Sequence, residues 1–258
     1  MNRLLSLLLL LAVNTISAQP LAYHAGNLHS HNDYEKPFPF SEAYNQGFGS
    51  IEADIFLRAG NLIVAHDTAQ LKWHRTLDSL YLQPLQKCIR TNKGYPFADH
   101  GKVLQLLIDI KTDSTATLDQ LVKKLQLYPE ITNCKAVKLV ISGSRPASAA
   151  FASYPSWIYF DGELHLDYPL AALDKIDMLS DNFRNYSSWN GIDTLPLKDK
   201  LVLEALISKG HRLHKKVRFW NAPDLISSWK VFMQLGVDYI NTDHITAAAS
   251  FLEQAPKP

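Results

Sequence analysis

The sequence predicts an α/β protein built as a single closed (β/α)8 TIM barrel, and three observations lead there. Short β-rich runs alternate with helix-like segments about eight times over roughly 230 residues, the count a parallel barrel needs. No composition break or linker divides the chain. No glycine-rich phosphate turn follows the first strand, which disfavours an open doubly wound sheet.

Taken in order, residues 27–31 read as a strand ending in polar groups, and 37–46 as a helix closed by Gly47. Residues 50–56 form the second strand, and the turn 58–61 leads into the apolar run 62–65. Residues 68–100 are the least regular stretch. They hold a helix around 85–90, then Gly94 and Pro96, and read as an inserted loop region over one end of the barrel. Residues 103–110 are almost wholly apolar, as expected of a strand buried on both faces. An amphipathic helix follows at 118–127. Further strands are expected at 137–141, 157–160, 176–179, 213–219 and 237–241, with helical spacing at 196–209, 223–235 and 245–253.

The chain begins with a basic head containing Arg3 and a short apolar run from Leu4 to Val13, too short to cross a bilayer. Small residues at Ser17 and Ala18 follow, so residues 1–18 read as a cleaved signal peptide and 19–258 as the barrel domain, secreted or periplasmic and without a stable membrane anchor. The chain has 26 Lys and Arg against 25 Asp and Glu, and loss of Arg3 with the leader balances the two. A basic surface for nucleic acid is excluded on that balance. Cys88 and Cys134 are the only cysteines, and whether they pair is open at this level.

In a parallel barrel the C-terminal strand ends converge on one mouth, which makes their polar residues the candidates for chemistry. His31 and Asn32 close the first strand, and His66 ends the 62–65 run. Glu52 and Asp54 stand at i and i+2 on the second strand and therefore share a face, a pair of hard oxygen donors suited to Mg²⁺ or Ca²⁺. Asp109 and Lys111 repeat that spacing after an apolar run, as part of a site or as a structural ion pair. Arg218 and Trp220 share a face near the end of the chain.

The ordered set His31-Asn32, Glu52-Ala53-Asp54, His66-Asp67, Asp109-Ile110-Lys111, Phe219-Trp220-Asn221 and residues 235–243 resembles the phosphatidylinositol-phospholipase-C-like phosphodiesterase superfamily, which includes the glycerophosphodiester phosphodiesterases. Within it the chain is most similar to the altered-inheritance-of-mitochondria phosphodiesterase-like branch. Glycerophosphodiesterases usually carry His-Arg where His31-Asn32 stands and Glu where Asp109 stands. The resemblance implies a divalent metal, Ca²⁺ or Mg²⁺, held by Asn32, Glu52, Asp54 and Asp109. It implies His31 and His66 as general base and general acid, with Lys111, Arg218 and Trp220 at the phosphate and substrate. A small phosphodiester or lipid head group is the substrate so implied, and the alternative is a non-catalytic barrel that binds a phosphorylated or sugar ligand.

The remaining assignments are plainer. His29 reads as support for His31, and His24, His74, His100, His211, His214 and His244 as structural or exposed. Asp243 reads as the N-cap of the last helix. Arg145, Asp161, His165 and Asp181 hold mouth positions without a motif.

Overall fold

A computed structural model describes residues 22–254, so the expected leader lies outside the described residues. Period-two alternation decides the architecture. On β2 (Ser50–Arg58), Ile51, Ala53 and Ile55 join the main hydrophobic core, while Ser50, Glu52 and Asp54 point the other way, towards a barrel axis. The other strands repeat the scheme: β1 (Leu28–Ser30), β4 (Leu104–Ile110), β5 (Val137–Gly143), β6 (Ile158–Glu163), β7 (Ile176–Asn182), β8 (Lys216–Trp220) and β9 (Ile240–Thr242). These eight strands pair in parallel in the order β8-β7-β6-β5-β4-β2-β1-β9, and a bridge between Arg218 and Tyr239 joins the two ends. The predicted TIM barrel is present, as a nearly closed one.

The expected apolar run 62–65 belongs to β3 (Asn61–Val64), which is no barrel strand: it folds back antiparallel on β2. Ala59 and Gly60 both have positive φ, the backbone twist a two-residue hairpin turn requires. Ala65 N–H donates to the Asp54 carbonyl, so the hairpin delivers His66 beside Asp54.

The outer layer is uneven. It comprises α1 (Ser41–Asn45), α2 (Gln83–Thr91), α3 (Ser114–Leu125), α4 (Pro129–Thr132), α5 (Leu170–Leu173), α6 (Leu197–Arg212), α7 (Ile226–Leu235) and α8 (Ile245–Gln254). Helix α1 is shorter than the 37–46 expectation because Pro37 and Pro39 precede it and Phe40 takes a positive φ. Asp113 caps α3 by accepting from Ala116 N–H, and Gly236 ends α7 in the left-handed conformation.

The region 68–100 differs most from expectation. Its first part is a short 3-10 helix, Thr68–Trp73, but Leu77, Tyr81, Leu82, Leu85 and Ile89 are all buried in the main core. The segment from Asp78 through α2 is therefore the crossover packed between β2 and β4, not a loop laid over one end. The helix expected around 85–90 is present as α2, with Pro84 in its first turn. Cys88 and Cys134 are free thiols. No helix among the described residues is long and apolar enough to cross a membrane.

Inside the barrel, Leu107, Val140, Met178 and Tyr239 form a small separate apolar cluster beneath the polar mouth. Leu107→Ala is expected to lower unfolding free energy by about 2–5 kcal/mol, because a closed barrel relaxes poorly around a cavity. Urea denaturation with an unchanged far-UV spectrum before the transition checks this.

Candidate active site

The mouth is built outward from a buried imidazole. His29 is fully buried on β1, its Nδ1 2.7 Å from Ser50 Oγ and its Nε2 2.8 Å from Glu52 Oε2. Gln105 donates to the same Ser50 oxygen at 2.8 Å. Arg218 Nη1 also lies 2.8 Å from Nε2, so that nitrogen stands between the Glu52 carboxylate and the guanidinium. Burial first, and the Arg218 guanidinium second, push the His29 pKa down to about 4, so the ring is neutral. Its role is support, as its place before His31 suggested. Burial would raise the Glu52 pKa, but His29 and Arg218 outweigh it and hold Glu52 ionised.

Glu52, Asp54 and Asp109 each offer an oxygen, all within 4.8 Å of one another. The register that places Asp54 opposite Asp109 on β2 and β4 brings them together. Asp54 is buried, and its Oδ1 has no hydrogen-bond partner. Burial first, then repulsion from Glu52, pushes the Asp54 pKa up to about 7, and burial likewise raises that of Asp109. A divalent cation fits this set, since it would complete the orphaned oxygen and offset three crowded carboxylates. Asn32, at the end of β1 in the left-handed conformation, opens on the same cavity. Lys111 Nζ lies 2.9 Å from both Asp54 Oδ2 and Asp109 Oδ1, an ion pair within the site. Its pKa is raised by those carboxylates in spite of burial. On the neighbouring strand end, Gly143 has φ +69°, and a Cβ there would collide with the Asp109 carboxylate.

The two candidate acid-base histidines are each held through Nδ1. His31 Nδ1 is 3.2 Å from Asp243 Oδ1, which also accepts from Lys36 Nζ at 2.9 Å. The Asp243 side chain is thus engaged with His31 and Lys36; the expected helix-cap role is corrected. Burial would lower the His31 pKa, but the Asp243 bond and the field of Glu52 outweigh it and raise it. Burial works against the ionised Asp243 too, yet His31 and Lys36 hold it down to about 2. His66 is half exposed, with Nδ1 3.0 Å from the Tyr34 hydroxyl and 3.9 Å from Asp54. Both imidazoles keep Nε2 for the cavity.

That cavity measures about 780 Å³ and is lined by every predicted site residue except Asp54, which lies beneath it. Trp220 is 40% exposed at its wall, not packed in the core. Arg218 lies deeper, 3% exposed, bonded to Asn241 Oδ1 at 3.0 Å and spanning from Glu52 Oε2 (3.5 Å) to Asp161 Oδ2 (3.6 Å). Beyond it the lining continues through Asp161, Glu163, His165 and Asp181.

Sequence reasoning missed Tyr34 and Asp243 as site residues. The Tyr34 hydroxyl lies 2.7 Å from Asp54 Oδ2 and 2.8 Å from Asn32 Oδ1, as well as against His66, tying three site residues together. Its only sequence signal is its position two residues after Asn32. Asp243 carried the strand-end signal used for His31, since His31 N–H donates to the carbonyl of Thr242. Tyr34→Phe is expected to cost about 1–3 kcal/mol by removing a hydroxyl bonded to the buried Asp54 carboxylate, read from urea unfolding.

The AIM6-like phosphodiesterase domain family matches residues 22–132, and the glycerophosphoryl diester phosphodiesterase family matches residues 216–246. Altered inheritance of mitochondria protein 6 of Kluyveromyces lactis is 27% identical over 87% of this chain and 72% of its own length. Its homolog in Arthroderma benhamiae is also 27% identical, over 87% of this chain and 83% of its own. Among solved structures, a glycerophosphodiester phosphodiesterase from Parabacteroides distasonis superposes with a TM-score of 0.53 at 14% identity, covering 90% of this chain and 95% of that one. A second, from Agrobacterium tumefaciens, gives 0.51 at the same 14% identity, over 88% and 96%. At that identity the structural likeness speaks for the barrel fold alone. With family matches at both ends of the chain and relatives spanning most of it, the chain is similar to the glycerophosphodiester-phosphodiesterase-like superfamily, and within it to the AIM6-like phosphodiesterase domains.

Proposed function

We propose that this chain is a metal-dependent phosphoric diester hydrolase, secreted or periplasmic, that cleaves a glycerophosphodiester or a related phospholipid-derived diester. The observation that carries this reading is the convergence, in one cavity, of three carboxylates within 4.8 Å of one another and two histidines held through Nδ1. The family's phosphodiesterase character supports the reaction class.

Glu52, Asp54, Asp109 and Asn32 would hold Ca²⁺ or Mg²⁺, which when bound neutralises charge on a non-bridging phosphoryl oxygen and acidifies a hydroxyl or water. His31 acts as general base through Nε2, with Asp243 orienting the ring from Nδ1. His66 acts as general acid through Nε2, its Nδ1 steadied by Tyr34. Lys111 and Arg218 supply positive charge at the diester, and Trp220 forms a wall for the alcohol.

One observation favours a second reading. Lys111 bridges Asp54 and Asp109 at 2.9 Å each, which offsets two of the three carboxylates with no ion present. A non-catalytic barrel binding a phosphorylated or sugar ligand is consistent with that.

Turnover of bis(p-nitrophenyl) phosphate and glycerophosphocholine separates the two. Activity is expected to vanish in EDTA and return with Ca²⁺ or Mg²⁺. His31→Ala and His66→Ala are each expected to lower kcat/KM by about 10²–10⁴-fold. Asp243→Ala should reduce kcat more than it raises KM. No cleavage of either diester under any metal condition supports the binding reading. Independently of activity, the ion should raise the thermal midpoint of the wild type and leave that of Glu52→Gln nearly unmoved.

A further inference from the structure

We propose that one arc of the barrel mouth, formed by the connections after β7, β8, β1 and β3, docks on a zwitterionic phospholipid surface, so that a head-group phosphodiester enters the cavity while its lipid stays in the bilayer. This rests on the reading of the cavity as the phosphodiester site and names the surface from which its substrate is taken.

Large apolar side chains are held in the open on each of those connections. Phe38 follows β1 and is 69% exposed, Trp73 follows β3 and is 53% exposed, and Ile192 after β7 and Leu225 and Ile226 after β8 are exposed as well. The strand order sets β7, β8, β9, β1 and β2 side by side around the ring, and β3 pairs with β2, so these residues share one half of the rim. Across the mouth, the connections after β4 and β5, residues 111–113 and 144–147, expose no large apolar side chain. Apolar groups scattered singly need no explanation, whereas an arc of them beside an opening marks a contact surface. Trp220 joins the arc to the site, since it is exposed at the rim and also lines the cavity with His31 and His66.

The backbone and polar framework under these groups keeps them from folding back. Pro37 and Pro39 flank Phe38 and stiffen its loop. The Arg75 guanidinium lies 4.9 Å from the centre of the Trp73 ring and donates to the Tyr34 carbonyl at 2.8 Å, while Gln70 donates to Glu35 at 3.2 Å, so the loops that carry Phe38 and Trp73 are tied together. Charge then chooses the occupant. Residues 31–40, 65–77, 183–196 and 221–225 hold two lysines and two arginines against one glutamate and three aspartates, the buried Asp33 aside. Such a balance creates no net field to select an anionic membrane or a charged protein face. An aromatic, charge-balanced rim suits a zwitterionic phospholipid, in which Trp and Phe settle among head groups and glycerol backbones. A second copy of the chain seated on the arc would cover the opening that Trp220 borders, whereas a lipid surface presents a phosphodiester to it.

Flotation of the whole protein with phosphatidylcholine vesicles tests the proposal. The wild type is expected to float with the vesicles, and its bound fraction should change by less than about two-fold between low and high salt, because no ion pairing drives it. Phe38→Ser and Trp73→Ser should each weaken the partition by about three-fold or more, and together by about ten-fold or more, from the apolar area each buries in lipid. Both side chains are exposed, so the variants are expected to fold, with thermal midpoints as the check; Ile226→Ser replaces either one that does not. Neither residue lines the cavity, so kcat/KM on the soluble bis(p-nitrophenyl) phosphate should be unchanged in both. Four results would overturn the surface: no flotation of the wild type, flotation that the two substitutions leave unchanged, binding confined to anionic vesicles and lost in salt, or a dimer in sedimentation that the same substitutions dissolve. Diester turnover is scored separately. Vesicle binding without turnover keeps the surface and removes the hydrolase, whereas turnover without vesicle binding removes the surface alone.

Discussion

Three carboxylates crowded at the mouth of a narrow barrel are the constraint on which the rest of this site depends. Charge taken out of water is costly unless it is paired or coordinated, and here the surrounding strands supply the pairing. Glu52 is kept ionised by a neutral His29 and by Arg218, Asp54 is bonded to Tyr34 and Lys111, and Asp109 shares Lys111. One oxygen of Asp54 remains without a hydrogen-bond partner, and a cation would fit there.

The same compensation organises the layers below and beside it. His29 leans on Ser50, which is held by Gln105, so a chain of neutral hydrogen bonds runs down the axis from the charged mouth to the apolar cluster of Leu107, Val140, Met178 and Tyr239. Sideways, Arg218 carries positive charge from Glu52 to Asp161 and so couples the two halves of one cavity. The β2–β3 hairpin adds His66 from outside the barrel ring, and Asp243 at the end of β9 adds the partner of His31. The two candidate histidines and the partner of His31 therefore stand on elements from both ends of the chain, which the closure of β1 against β9 and β2 brings together.

Much of the fold was legible because burial writes a period into a strand. The alternation in β2 and the apolar run of β4 announced which residues face the helices and which face the axis, and Glu52, Asp54 and Asp109 stand where that pattern is interrupted. The turn at 58–61 was legible, but not the antiparallel pairing that follows it, since an antiparallel strand packed on a parallel one carries the same apolar run as a barrel strand. The helix of α2 was legible, but not that it belongs to a buried crossover, because the burial of Leu77, Tyr81 and Leu82 ahead of it depends on packing against the sheet.

By itself the sequence determined the strand count, the barrel class, the carboxylates at i and i+2 and the histidines at strand ends, because each of these depends on local spacing along the chain. Only the tertiary structure decided that Tyr34 joins Asn32, Asp54 and His66, that Asp243 serves His31 across more than 200 residues, and that Asp161 and Arg218 face one another with unpaired atoms. The reason is physical: hydrogen bonding and desolvation act between side chains that closure of the barrel makes neighbours, and no periodicity along the chain records which residues those are.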